Sequence, residues 1–184
     1  QEWMTIGRNV DQQPSNWTSG IIGTGFLFNG NSGDINRGYS GIYPADKGIL
    51  RNNRAKLILS NNEIIYDFAG NLTEHVMMDI NDTLLQNQPN TITNDGTLKV
   101  PEFTELVGYG DLSADLIKPT NANWTSSQGV GRMYMYDGGS ANPNRILFRG
   151  RNWDYGSYTG VYTLYTRFDS THTNFVVGFR CVRN

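Results

Sequence analysis

The sequence predicts an α+β domain of short strands, few helices and much irregular loop. Three observations carry this expectation. Glycine and asparagine each occur 21 times in 184 residues, and both tolerate turn and left-handed backbone. The apolar runs are short and bounded by turn residues. One segment alone has a clear helical period. A chain of 184 residues, 38% of them hydrophobic, fits a single domain spanning 1–184 with a sizeable core.

In chain order, "EWMTIGRNV" places Trp3, Ile6 and Val10 at i, i+3 and i+7, the stripe of a short amphipathic helix. Residues 14–48 read as loop, interrupted by the apolar run Gly25–Phe28. "AKLILSNNEIIYDF" reads as a hairpin, with strands Lys56–Leu59 and Glu63–Phe68 flanking the turn "SNN". Asn81–Pro101 is a polar excursion, and "PEFTELVGYG" has room for one helical turn. "GRMYMYD", "RILFRG" and "NFVVGFRCVR" read as the remaining strands. "NWTSGIIGTGFLF" from Asn16 and "NWTSSQGVGRMYMY" from Asn123 echo one another as loop-to-strand entries.

Composition excludes several classes. The net charge is −2 with scattered basic residues, which argues against a nucleic-acid partner. Cys181 is the one cysteine, so no intrachain disulfide forms. No apolar run is long enough for a transmembrane segment, and none reads as a secretory signal. His75 and His172 are the two histidines and fit no metal spacing, and GxSxG, P-loop and HExxH motifs do not occur.

The carboxy-terminal segment has an unusual alphabet. Asp154–Asn184 holds no Glu, Lys, Gln, Met or Trp, although those types supply 24 residues elsewhere in the chain. At that rate roughly five would be expected. Every residue that does occur has a codon ending in a pyrimidine, as would follow from randomising the first two bases of Asn-type codons. The same segment is rich in tyrosine among Gly, Ser and Thr. Tyrosine gives rigid contact area at low entropic cost with a polar tip, the chemistry of a binding surface.

"FRGRNWDYGSYTGVYTLYTRFDSTHTNFVVGFRCVR" resembles the variable tail of proteins diversified by diversity-generating retroelements. Arg149, Gly150, Trp153, Gly156, Ser157, Gly160, Val161, Leu164, Gly178, Phe179 and Arg180 match positions which that family keeps fixed. Upstream, "QEWMTIGRN" resembles the Glu-Trp helix of the formylglycine-generating-enzyme (sulfatase-modifying factor) branch. "EIIYDFAGNLTEH" resembles its Asp-x-x-Gly-Asn-x-x-Glu motif.

The resemblance implies a C-type lectin-like fold with a variable segment of about 149–180, in a domain trimmed at its amino terminus. It implies a non-enzymatic domain that binds a protein or other macromolecule on a cell or particle surface, displayed on a virus particle or prokaryotic cell. The positions the family leaves open carry Arg151, Asn152, Asp154, Tyr155, Tyr158, Tyr165, Arg167, Phe168 and His172, which are expected to form one outward-facing patch. Asn174, Phe175 and Val176 are further candidates, and Trp153, Leu164 and Phe179 are expected to anchor the segment to the core. In the enzyme branch the motif matching "DFAGNLTE" wraps a calcium ion. Carried over, the ligands of one structural Ca²⁺ are Asp67, Gly70, Leu72 and Glu74.

Two rival functions have weaker support. A formylglycine-generating-type oxidase needs a cysteine pair just beyond the segment matching "GRNW", where this chain has "GSYTGVYTLYTRF". A calcium-bridged sugar lectin needs an acid in its binding triplet, whereas "QPN" at Gln88–Asn90 offers only amides. Aromatic stacking of a sugar on the tyrosines stays open.

Overall fold

The computed structural model describes residues 2–32, 55–81, 98–106, 114–136, 144–166, 168 and 171–179. They form an α+β fold in which strands outnumber helices, with loops between. Helix α1 (Glu2–Asp11) buries Met4, Gly7 and Val10, and Trp3 and Ile6 pack half-buried at the margin of this stripe. The buried face is turned about one residue from the stripe read in the sequence. Gly7 explains the offset: a Cβ there would meet the Val161 and Tyr162 side chains at 3.1 and 3.3 Å. The helix thus lies tightly against the carboxy-terminal segment. Trp3 Nε1 donates to the Val161 carbonyl at 2.7 Å, and the Tyr162 hydroxyl donates to Asp11, whose other oxygen accepts from Thr120. Burial, then the facing Asp11 carboxylate, pushes the Tyr162 phenol far up, so it stays a donor.

The hairpin forms as read. Strands β1 (Lys56–Ile58) and β2 (Ile64–Tyr66) pair antiparallel with Ile58 opposite Ile64. Asn62 closes the turn at φ +66°, a conformation asparagine accepts more readily than most residues.

The main sheet contains β3 (Thr73–Asn81), β4 (Leu98–Lys99), β5 (Met133–Tyr136), β6 (Asn144–Arg149), β7 (Leu164–Tyr165) and β8 (Val177–Gly178). Its order is β4-β5-β7-β6-β3-β8. β7 lies parallel to β5 and antiparallel to β6, and β8 lies parallel to β3 at the sheet edge. Sequence reading missed β3, because its first residues were absorbed into the turn motif. Its alternation is also broken by a bulge between Val76 and Asp79. It missed α2 (Ala114–Ile117) as well, which is too short to display a period. The expected helical turn after Pro101 is a 3-10 turn at Phe103–Glu105.

Strand alternation divides the apolar side chains between two faces. Met133, Met135, Leu147 and Leu164 join Val10, Trp17, Phe68 and Tyr162 in the main core. Tyr134, Ile146, Phe148 and Tyr165 form a second cluster on the opposite face. The two echoing segments pack on each other: Trp17 and Trp124 meet edge to face at 4.9 Å, and the Leu27 N–H donates to the Gln128 carbonyl at 2.8 Å. Among the described residues no helix is long and apolar enough to cross a membrane.

Candidate functional site

The second cluster positions the site. β6 ends at Arg149, whose buried guanidinium donates to the Tyr162 and Leu116 carbonyls at 3.0 and 2.7 Å. Burial lowers its pKa to about 10, which still leaves it charged at neutral pH. Gly150 and Arg151 then turn the chain at φ +79° and +61°. The left-handed backbone of a non-glycine residue costs about 1–2 kcal/mol, so Arg151 needs compensation. Three rings surround it. Its guanidinium carbon lies 3.5 Å from the Tyr155 ring centre, 3.9 Å from Tyr134 and 4.2 Å from Tyr165. A desolvated cation on aromatic faces gains up to about 2 kcal/mol, enough to hold the turn.

Tyr134 is the hub. Its ring lies 5.6 Å from Tyr165 and 6.3 Å from each of Tyr155 and Tyr158, while the Arg132 guanidinium covers Tyr158 at 4.9 Å. Burial pushes the Tyr134 phenol far up. The alternating "MYMY" carried the signal for this residue: with both methionines in the core, the tyrosine between them must face the other way. Below, Phe168 and His172 stack at 3.5 Å with 6° between their planes.

Glycine and threonine frame the segment. Thr159 donates to the Asn152 carbonyl, Thr163 to that of Tyr158 and Thr166 to that of Tyr134. These threonines are fully buried, so their hydroxyls act within the protein. Gly160 and Gly131 pass so closely that a Cβ on Gly160 would strike the Gly131 nitrogen.

The expected outward patch is only partly outward. Asp154, Tyr155 and Tyr158 are exposed, the tyrosines by 40% and 41%, and Phe168 and His172 are half-buried. Arg151, Asn152 and Tyr165 are corrected to buried positions, at 4%, 4% and 6% exposure. Tyr165 is buried because β7 is a central strand with neighbours on both sides, and Arg151 because the rings close over it. Arg167 lies outside the described residues. The buried members nevertheless converge with the exposed ones. Arg151, Asn152, Tyr155, Tyr165, Phe168 and His172 border one hollow of about 120 Å³, together with Phe148, Thr73, Asn174, Val176 and Val177. Phe175 lies beside it, almost fully exposed.

Two of the three expected anchors need correction, and Leu164 does not. Leu164 is fully buried, Trp153 is half-buried, and Phe179 is 79% exposed because it follows the edge strand β8. Cys181, Arg180 and Gln88–Asn90 lie outside the described residues.

The expected calcium motif forms a tight turn, with Asp67, Gly70 and Asn71 all at positive φ. Gly70 is required there, since a Cβ would strike the Asn31 carbonyl oxygen. Asp67, Leu72 and Glu74 border a hollow of about 240 Å³ with Asn71, Gly178 and Phe179. Gly70 sits in the turn behind it. Asp67 Oδ1 accepts the Asn31 N–H at 3.3 Å, and Glu74 is buried. Two carboxylates at one oxygen-rich hollow fit a hard cation.

No family model matches the chain, and no curated protein is significantly similar to it.

Proposed function

We propose that this chain is a non-enzymatic recognition domain of C-type lectin-like fold, akin to the variable proteins of diversity-generating retroelements. It binds a protein on a cell or particle surface through the face made by Tyr155, Tyr158, Asp154 and the adjoining Arg151 hollow. The observation that carries the reading is the stack around Arg151. Seated on the buried Tyr134 and Tyr165, it holds the exposed Tyr155 ring in a fixed position, so little of that side chain's freedom is lost on binding. The buried threonines tie down the backbone beneath those rings. In this reading the domain is displayed on a virus particle or prokaryotic cell, and nucleic acid is not its partner. The hollow at Asp67, Leu72 and Glu74 holds a structural Ca²⁺, with Gly70 shaping the turn, away from the ligand.

The test is selection from a displayed random-peptide library on the immobilised domain. Tyr155 and Tyr158 are exposed, so a double Tyr→Ala variant should keep its fold. Interface tyrosines that fill pockets contribute about 2 kcal/mol each, so peptides should bind that variant at least tenfold more weakly. They should bind Ile64→Ser, on the β1–β2 hairpin, unchanged. Equal affinity for the parent and the double variant would refute the reading. A repeat near the gene that differs from residues 149–180 only at its adenines would support the retroelement origin.

A further inference from the structure

The hollow beneath Tyr155 has an unbalanced inventory of charge. Among the described residues its single fixed cation is Arg151, and no acidic side chain borders it. Asp154, one position past Trp153, is exposed and is not part of its wall. Arg151 is more than nine-tenths buried, and its Nε–H has no hydrogen-bond partner among the described residues. Asn152 Oδ1, equally buried in the same wall, lacks one too. A buried N–H of a charged group without an acceptor costs more than a typical hydrogen bond contributes. Three rings offset the charge of Arg151 but supply no acceptor in the plane of its fork. The remaining walls are mainly apolar or aromatic, with Phe148, Tyr165, Phe168 stacked on His172, and Val177, and their polar members Thr73 and Asn174 are uncharged.

We infer that this hollow takes a carboxylate carried on an apolar stem, namely an Asp or Glu side chain of a protein ligand. The carboxylate accepts from the Arg151 fork, and the stem lies on the apolar wall that Tyr165, Phe168 and Val177 form together. The Asn152 amide oxygen accepts an N–H of the ligand backbone. This rests on the recognition reading above for the ligand being a protein, whereas the preference for an acid rests on the hollow alone. Charge-assisted pairs with arginine are the stronger hydrogen bonds and discriminate against neutral isosteres.

The probe is 3-phenylpropionate against its neutral isostere 3-phenylpropanamide, titrated into the whole chain and followed at the arginine Nε–H resonances by NMR. The acid should shift the Arg151 Nε–H saturably, and the amide should bind at least tenfold more weakly. Arg151→Lys, which keeps the charge and loses the fork, should lose most of that preference. Should this variant fail to fold, the acid-against-amide comparison on the parent decides. Equal affinities, or no shift at Arg151, would overturn the inference.

The peptides selected on the domain distinguish the source of the acid. Peptides that depend on Tyr155 and Tyr158 should weaken at least tenfold when their acidic residue is changed to Asn or Gln. If they do not, the acid preference falls while the recognition reading stands. If the free acid binds but no peptide depends on the tyrosines, the recognition reading falls, and with it the protein-borne ligand.

Discussion

Replacing Tyr165 by alanine should be far more damaging than replacing Tyr158, although both sit in the same tyrosine-rich stretch. Tyr165 is 6% exposed and stands in the central strand β7. Its ring meets Phe168 at 5.4 Å, Tyr134 at 5.6 Å and Phe148 at 6.2 Å, and it carries one side of Arg151 at 4.2 Å. Truncating a buried aromatic to alanine costs about 3–5 kcal/mol, the lost transfer energy plus the cavity. In a domain of this size 1 kcal/mol moves the melting temperature by about 2–4 °C, so Tyr165→Ala should lower it by roughly 6–20 °C. Tyr158 is 41% exposed, and its main neighbours are the Arg132 guanidinium and the edge of Tyr134. Tyr158→Ala should cost about 0.5–1 kcal/mol, or roughly 1–4 °C. Differential scanning calorimetry measures both, and urea titration at unchanged m-value checks that the two remain comparable. Equal losses, or less than about 2 °C for Tyr165→Ala, would refute the assignment of β7 to the sheet interior.

Three further predictions can be checked with the same instruments. Asp11→Ala should destabilise by about 2–4 kcal/mol, because the Tyr162 and Thr120 hydroxyls lose their buried charged acceptor; Tyr162→Phe made in that background should restore part of the loss. His75 meets Phe148 edge to face at 4.5 Å, and reduced hydration, then His172, hold its pKa below the ordinary 6.5. The unfolded chain therefore binds that proton more readily, so stability should fall as pH drops below about 6.5 and level off below the folded value. A His75→Gln variant should show a flatter melting-temperature profile across that window. Added Ca²⁺ should raise the melting temperature and EDTA lower it, and Asp67→Asn should abolish the difference; no shift with either would remove the ion from Asp67 and Glu74.

The α+β class and the hairpin at Lys56–Tyr66 were legible because turn residues bound short apolar runs. Strands β5 and β6 were legible for the same reason. What the sequence concealed was depth. A tyrosine reads alike whether it lines a surface or fills a sheet, and only the topology, with β7 between β5 and β6, buries Tyr165. Arg151 misleads similarly, since arginine in a loop is ordinarily solvated and its burial depends on rings from three separate positions. The convergence of Arg151, Asn152, Tyr155, Tyr165, Phe168 and His172 was nonetheless present in the expected set. Tyr134 was overlooked because it lies outside that segment, though the alternation of "MYMY" placed it opposite the methionines. Phe179 was expected inside from the motif it matches, but an edge strand leaves its following residue without a wall to pack on.

Helix α1 is the first element among the described residues, yet its partners include Val161 and Tyr162. On the ribosome, that helix emerges long before the residues it docks against. Its contacts with Val161 and Tyr162 form only once those residues have been made. β6 can already pair with β3 and β5 with β4, but the gap between β5 and β6 stays open until β7 arrives equally late. Completion of the sheet is thereby deferred until residues 161–165 have been synthesised. Any nascent chain stalled short of Tyr165 would present an open sheet to the cell's chaperones.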